Sequence, residues 1–92
     1  MYTIVTPEQF LRQARKFFRK HPELKSRFIG VVEALQTDPF QAPLALHPLT
    51  GKLAGLHAVR LTYSYRITLT LLVSDREIIL IDIGSHDEVY RA

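Results

Sequence analysis

The second half of the chain carries the side chains best suited to chemistry. Arg60 and Arg66 supply fixed positive charge and forked donors that suit a phosphate. His86 can give or take a proton near neutral pH, and Tyr90 can stack on a base or donate a hydrogen bond. His47 adds a second acid or base. This set indicates metal-independent RNA cleavage, in which one group removes the 2′-hydroxyl proton, cations stabilise the charged phosphorus centre and another group protonates the leaving oxygen.

These residues also have an ordinary structural interpretation. A lone arginine on a strand usually lies on the surface, and a histidine before a proline, as in His47-Pro48, is typical of a loop. The chain has 4 histidines and no cysteine, and none of the histidine and acid spacings matches a zinc signature. It also lacks a glycine-rich phosphate loop. We therefore expect neither a metal site nor a cofactor.

The size and composition are those of one soluble domain. The 92 residues, 47% hydrophobic and 23% charged, are too few for two independent cores, so residues 1–92 are expected to form a single domain. The first residues lack the basic region and long apolar run of a signal peptide. No apolar run reaches the roughly 18 residues that a membrane helix needs. We expect a cytoplasmic protein with no membrane partner.

Basic residues are concentrated in the first part of the chain. Residues 1–39 contain seven Lys or Arg and four Asp or Glu, whereas the remainder contains five of each, so the first part contributes the whole net charge of +3. Such a patch suits nucleic acid or an acidic protein partner, and a solvated helix face explains it equally well. The candidate RNA-binding residues of this patch are Arg12, Arg15, Lys16, Arg19 and Lys20.

Two amphipathic helices are predicted in the same region. The first, over residues 7–20, has Thr6 as its expected N-cap in a capping box with Gln9. The second, over residues 22–38, begins at a proline. Apolar residues recur at helical spacing on one face of each helix, so the helices are expected to form an antiparallel hairpin. These apolar residues are Phe10, Leu11, Ala14, Phe17 and Phe18 in the first helix, and Leu24, Phe28, Val31 and Leu35 in the second.

The segment over residues 59–73 alternates between apolar and polar residues. It is too long for one ordinary strand, so a hairpin turning around Tyr63 and Ser64 is predicted. Paired residues in a hairpin share a face. The turn must therefore hold an odd number of residues, or a bulge, and Arg60 and Arg66 should lie on the same polar face.

The last strand, over residues 77–83, is apolar on both faces, as a central strand would be. Gly84 can adopt backbone angles that other residues avoid, so we expect it to turn the chain out of the sheet and place His86 on a loop. With a first strand over residues 1–5, the predicted fold is α+β in the order β-α-α-β-β-β. It consists of an antiparallel sheet of about four strands with the N-terminal helix hairpin packed on one face and no helix on the other.

Five segments form a recognisable pattern in this order along the chain. They are His47-Pro48-Leu49-Thr50-Gly51, Gly55-Leu56, Arg60-Leu61, Tyr65-Arg66-Ile67 and Ile83-Gly84-Ser85-His86-Asp87-Glu88-Val89-Tyr90. The pattern resembles the RelE/ParE toxin superfamily, and within it the YafQ-like ribosome-dependent mRNA interferases. The resemblance covers nearly the whole chain, because a helix hairpin followed by an antiparallel sheet is also that family's layout.

The resemblance implies a type II toxin that cleaves mRNA, with catalytic residues in matching positions. His47 matches the family's loop histidine before Pro-Leu, and His86 matches its C-terminal histidine. Tyr90 matches its aromatic residue four positions later, and Arg66 matches the arginine of its Tyr-Arg-Ile segment. An arginine in the sheet, as at Arg60, resembles the RelE-type toxins.

Two positions depart from the YafQ-type pattern. Those toxins carry a further histidine where this chain has Arg60, and an aspartate where it has Ser64. The groups left to move protons are His47 and His86, and which of them is the base stays open.

The implied partners are a cognate antitoxin, the ribosome and mRNA, and the toxin is expected to be monomeric apart from the antitoxin complex. The basic first helix would bind ribosomal RNA, with Lys52 and Tyr65 as further RNA contacts. One alternative keeps the fold without the enzyme, as a ParE-like toxin that inhibits DNA gyrase. An inhibitor has no need of His47, His86 and Tyr90, which argues against it. The other alternative is a plain binding module or an inactive toxin.

Overall fold

Helices and one mixed sheet make up residues 1–89, the part of the chain that this computed structural model describes. In chain order the elements are β1 (Thr3–Val5), α1 (Glu8–Lys20), α2 (Lys25–Thr37), β2 (His47–Pro48), β3 (His57–Arg60), β4 (Tyr65–Leu72), β5 (Glu77–Ser85) and α3 (His86–Val89). Short 3₁₀ turns lie at Pro22–Leu24, Ala42–Leu44 and Gly51–Leu53. None of the helices within this range is long and apolar enough to cross a membrane.

The sheet has five strands within residues 1–89, in the order β1-β5-β4-β3-β2. β1 runs parallel to β5, and the other pairings are antiparallel. The predicted α+β class and element order are confirmed, with the two-residue strand β2 and the short helix α3 as additions. Gly51 and Gly55, at φ of +66° and +99°, lie in the loop that returns the chain from β2 to β3. Residues with a Cβ rarely adopt such angles.

The helix hairpin packs on one face of the sheet, as predicted. Phe10, Ala14 and Phe17 of α1 are buried, as is Leu35 of α2, which confirms the main part of the predicted faces. Leu11, which was assigned to the apolar face of the first helix, is 37% exposed, so the prediction is wrong for that residue. The buried helix residues pack in one cluster with Leu61 of the β3–β4 turn and with the sheet residues Val59, Ile67, Leu69, Ile78, Leu80 and Ile83. Burying a large aliphatic or aromatic side chain contributes about 1.5–3 kcal/mol, so this layer holds the helices to the sheet.

The start of α1 differs from the prediction. The helix begins at Glu8, its N-cap position is Pro7, and no side-chain cap hydrogen bond is formed there. The predicted capping box of Thr6 is therefore wrong. The carbonyl of Pro7 accepts the first helical bond, from the N–H of Leu11 at 3.0 Å.

The β3–β4 hairpin has the register that the alternation requires. Arg60 pairs directly with Arg66, with residues 61–65 between them. The N–H of Leu61 donates to the carbonyl of Tyr65 at 2.9 Å. An odd number of residues thus separates the pair, so the alternation assigns both arginines to the face opposite the helix hairpin. We call this face the distal face; its paired residues are His47, Ala58, Arg60, Arg66, Thr68, Asp82 and Gly84. Arg60, at the edge of the sheet, also lines a pocket with Arg27 and Val31 of α2.

A bulge in β5 decides which residues of that strand reach the distal face. Thr68 pairs with Asp82, whereas the next residue, Leu69, pairs with Leu80. One residue of β5, Ile81, is therefore extra. It lets Leu80 and Ile83 both face the core and turns Asp82 to the distal face, an outcome that strict alternation along β5 would not produce.

The end of β5 also differs from the prediction. Gly84 is not a turn residue but a strand residue paired with Arg66, and the strand continues through Ser85 before α3 begins at His86. α3 contacts β4 and β5. The prediction that no helix covers the distal face is thus wrong for the part that α3 overlies.

Candidate active site

Two rows of paired residues cross the distal face. The first row contains Arg60 on β3, Arg66 on β4 and Gly84 on β5. The second row contains His47 on β2, Ala58 on β3, Thr68 on β4 and Asp82 on β5. Because paired residues project to the same side of a sheet, His47 lies on the same face as both arginines.

Strand geometry sets the distances within this group. Neighbouring strands lie about 4.8 Å apart, and residues two positions apart on a strand about 6.8 Å apart. The Cα atom of His47 is therefore about 8 Å from that of Arg60 and about 12 Å from that of Arg66. His86 follows Gly84, the partner of Arg66, by two residues, so the Cα atoms of His86 and Arg66 are less than about 13 Å apart. Tyr90, the remaining candidate catalytic residue, lies outside the described residues.

His47 is held by a backbone carbonyl. Its Nδ1 lies 2.9 Å from the carbonyl oxygen of Ala45. A carbonyl can only accept, so Nδ1 carries a proton and Nε2 is the basic nitrogen of the neutral ring. Ala45 has a φ of 52°, in the left-handed region that residues with a side chain rarely adopt. Ala45 is the C-cap of the 3₁₀ turn Ala42–Leu44, where a left-handed residue commonly ends a helix, so this turn fixes the carbonyl that holds His47.

The two arginines are held differently. Nη1 of Arg66 donates to the carbonyl oxygens of Thr62, Tyr63 and Tyr65 at 2.9, 3.1 and 3.2 Å. Arg66 therefore closes the β3–β4 turn as well as carrying charge to the distal face. Arg60 is exposed. Substitution of Arg60 should therefore affect the fold less than substitution of Arg66.

His86 is the first residue of α3. Its side chain is 67% exposed, and its Nδ1 lies 3.7 Å from Oδ1 of Asp87. Ser85, the residue before His86, and Glu88, two residues after it, form hydrogen bonds to each other. The N–H of Ser85 donates to Oε1 of Glu88 at 2.9 Å, and the N–H of Glu88 donates to the hydroxyl oxygen of Ser85 at 3.3 Å.

Two carboxylates beside the site were missed by sequence reasoning. Burial raises the pKa of Asp82 above its ordinary value, the backbone N–H of Ile83 opposes this, and the nearby Glu88 raises it further. The pKa of Glu88 is lowered, first by the N–H of Ser85 and then by its hydroxyl. The Ser-x-x-Glu spacing was a readable signal for Glu88. No sequence signal pointed to Asp82, because the bulge in β5 decides on which face of the sheet it lies.

The basic residues of α1 divide between two surfaces. The first, the arginine face, consists of Arg12, Arg15 and Arg19, which line one pocket with Phe18 and Lys25. The second, the lysine face, consists of Lys16 and Lys20, which line another pocket with His21, Asp82 and Glu88. All five basic residues are exposed. Both faces have a carboxylate beside them. Asp82 and Glu88 line the pocket of the lysine face, and on the arginine face Nη2 of Arg15 donates to Oε2 of Glu8 at 3.1 Å.

The other two predicted RNA contacts lie elsewhere. Lys52 is exposed in the turn before β3. Tyr65 is half-buried on the hairpin side of the sheet, with its ring centroid 5.1 Å from that of Phe17 and 4.8 Å from that of His21. Tyr65 therefore packs between α1 and the sheet, and its contact with RNA stays a prediction. Across the described residues, no group of three or more His, Cys, Asp or Glu could hold a metal ion.

Solved structures are similar to this chain, whereas no protein-family model and no curated protein matches it. A metal-bound toxin from Helicobacter pylori is 26% identical, with a TM-score of 0.79 over 98% of this chain and 100% of that one. YafQ from E. coli is 16% identical, with a TM-score of 0.79 over 98% of this chain and 99% of that one. A chain of the YoeB–YefM complex from Staphylococcus aureus is 14% identical, with a TM-score of 0.72 over 94% and 98%. The expected likeness to the RelE/ParE toxin superfamily, including YafQ, is confirmed at the level of the fold.

Proposed function

We propose that this chain is the toxin of a type II toxin–antitoxin pair and that it cleaves mRNA in the ribosomal decoding site. The observation that carries the proposal is the direct pairing of Arg60 with Arg66 on the face that also holds His47. Like charges placed opposite each other destabilise a sheet. An RNA phosphate between them would remove the repulsion, so the arrangement suits an anionic ligand better than it suits the free protein.

The proposed reaction is attack of the RNA 2′-oxygen on the adjacent phosphorus. The bond between O2′ and phosphorus forms, and the bond between phosphorus and O5′ breaks, which leaves a 2′,3′-cyclic phosphate and a 5′-hydroxyl. One proton leaves the 2′-hydroxyl and one is delivered to the 5′-oxygen, so an acid and a base suffice. Arg60 and Arg66 stabilise the negative charge that develops on the phosphate oxygens.

The histidines supply the two proton transfers. His47 suits the base, because its Nδ1 proton is held by the Ala45 carbonyl and its basic nitrogen is then Nε2. His86 is then the acid that protonates the leaving oxygen. Tyr90 is proposed to stack on a base beside the cleaved bond, as the family resemblance implies.

The basic surfaces of α1 and Lys52 would bind ribosomal RNA through its phosphates. Contacts of this kind position a protein without reading sequence. A second partner is a cognate antitoxin, and a YoeB–YefM toxin–antitoxin complex is among the structures with this fold. We propose that the antitoxin covers the distal face, that the toxin is otherwise monomeric, and that it acts in the cytoplasm, where ribosomes are.

The test is cleavage of a ribosome-bound mRNA by the purified chain and by His86→Ala. Loss of a proton-transfer group should lower the cleavage rate by about 10²–10⁴-fold. The products of the unmodified chain should carry 5′-hydroxyl ends. Asp75→Asn is the matched control, because Asp75 is exposed in the turn before β5, at the opposite end of that strand from His86.

Two results would overturn the proposal. One is mRNA cleavage by His86→Ala at the rate of the unmodified chain. The other is growth arrest with intact mRNA and gyrase-dependent DNA damage, which would favour the ParE-like alternative.

A further inference from the structure

The start of α3 is closed by a reciprocal pair of hydrogen bonds. The N–H of Ser85 donates to Oε1 of Glu88 at 2.9 Å, and the N–H of Glu88 donates to Oγ of Ser85 at 3.3 Å. This is a capping box, in which the first residue and the residue three positions later each satisfy a backbone N–H of the other. His86 lies between them, so the box sets the backbone from which its ring projects.

The absence of a side chain at Gly84 makes room for this box. A Cβ added to Gly84 would lie 3.0 Å from Oε1 and 3.2 Å from Cβ of Glu88. These distances are shorter than ordinary van der Waals contact, and the second involves an atom that cannot move without the helix. Gly84 is paired with Arg66, so Glu88 packs on the strand position directly beside that arginine. Gly84, the residue before the last one of β5, thus permits a close approach of Glu88 rather than a turn of the chain.

The charge on Glu88 is maintained by the same contacts. The backbone N–H and the hydroxyl of Ser85 lower the pKa of Glu88, and Lys20 and His21 act in the same direction. A carboxylate of ordinary pKa is already ionised in the neutral range, and the lowered pKa of Glu88 extends this to more acidic conditions. An ionised acceptor makes a stronger hydrogen bond to a backbone N–H than a neutral one does.

We propose that Glu88 and Ser85 are positioning residues for His86, which hold it beside the Arg60–Arg66 pair, and that the space left by Gly84 allows Glu88 to pack there. This inference rests on the proposed function, since it assigns these residues to the orientation of the proposed acid. A helix this short is not stable by its own backbone bonds. Its direction therefore depends on the capping box and on the buried Val89.

The test compares two substitutions that remove the same charge. Glu88→Gln keeps an oxygen acceptor at the third helical position, where glutamine also completes a capping box, whereas Glu88→Ala does not. We expect Glu88→Gln to cleave within about threefold of the unmodified chain, and Glu88→Ala to cleave on the order of tenfold more slowly, because small displacements of a catalytic group are costly. Ribosome affinity should be the same for both variants.

A second pair of variants distinguishes a loss of positioning from a simple loss of folding. Ser85→Thr keeps the hydroxyl and Ser85→Ala removes it, so the threonine variant should retain cleavage and the alanine variant should lose it to about the same extent as Glu88→Ala. Thermal unfolding of all four variants is measured in parallel. A fall in cleavage that follows the unfolding temperature across both pairs would overturn the positioning role.

The decisive measurement is made in the His86→Ala background. If Glu88 acts through His86, adding Glu88→Ala to His86→Ala should produce no further loss, because residues that act as a unit are not additive. A further tenfold loss in the double variant, or equal rates for Glu88→Ala and Glu88→Gln in the unmodified background, would overturn the inference. Unchanged cleavage by His86→Ala alone would instead overturn the proposed function.

Discussion

The Arg60–Arg66 pair leads to a prediction in which stability and activity change in opposite directions. Arg60 is exposed and lies directly opposite Arg66 on the neighbouring strand. Arg60→Gln removes the repulsion between the two guanidinium groups and leaves the hydrogen bonds of Arg66 in place. We therefore expect this variant to be more stable than the unmodified chain and less active on RNA.

The gain in stability expected for Arg60→Gln follows from Coulomb's law. Two charges about 7 Å apart in water repel by about 0.6 kcal/mol. Screening reduces this to about 0.4 kcal/mol at about 20 mM salt and to below about 0.1 kcal/mol at about 1 M. For a chain of this size a gain of about 0.4 kcal/mol raises the unfolding temperature by about 2–3 °C. The stabilisation should therefore appear at low salt and disappear at high salt.

Arg66→Gln is the matched comparison. It removes the same charge repulsion, but it also removes the hydrogen bonds that Nη1 donates to the carbonyls of Thr62, Tyr63 and Tyr65. The loss of such bonds costs about 1 kcal/mol or more, which exceeds the relief of repulsion. The two variants should thus change stability in opposite directions.

The assay is denaturant unfolding of both variants at low and high salt, together with cleavage of ribosome-bound mRNA. Both variants should cleave more slowly, since each removes a cation from the proposed phosphate site. A destabilised Arg60→Gln variant, or a gain that does not depend on salt, would refute the reasoning from charge. If Arg60→Gln were more stable and fully active, Arg60 would have no role in the proposed phosphate site.

Two further predictions concern the charges around the site. Changing the three arginines of the arginine face to glutamine should lower the slope of log ribosome affinity against log salt concentration by about 2–3, measured in a binding titration. An unchanged slope would show that these arginines form an ordinary solvated helix surface. Burial is the main cause that raises the pKa of Asp82 above its ordinary value, so its contribution to stability is fully present below the unfolded pKa and is lost as the pH rises through the folded pKa. Asp82→Asn should therefore unfold at higher denaturant than the unmodified chain at pH 7 and at the same denaturant near pH 3, and equal midpoints at pH 7 would contradict this.

The periodic elements could be predicted from the sequence because their signals are local. The buried face of α1, with Phe10, Ala14 and Phe17, follows from the 3.6-residue repeat. The shared face of Arg60 and Arg66 follows from the two-residue repeat and the parity of their turn. These patterns depend only on the order of neighbouring residues and the geometry of a single element. They can therefore be recognised without knowing how the elements pack together.

The ends of the elements were harder to predict. Thr6 has the residue type of an N-cap, but α1 starts one residue after Pro7. Gly84 was expected to turn the chain, yet it lies in β5. Residue type limits the conformations that a position can adopt. Which of them it takes depends on the element that packs beside it.

The sequence alone determined the fold class, the helix hairpin and the common face of the two arginines, because periodicity and pairing parity are properties of the chain itself. Tertiary structure alone decided the rest of the candidate site. The bulge that turns Asp82 to the distal face depends on the pairing of β4 with β5. The approach of Glu88 to Gly84 depends on α3 folding back over β5, and the division of the basic patch depends on which elements pack beside each side of α1. Each is a contact between separate elements, whose geometry is settled only when they pack together.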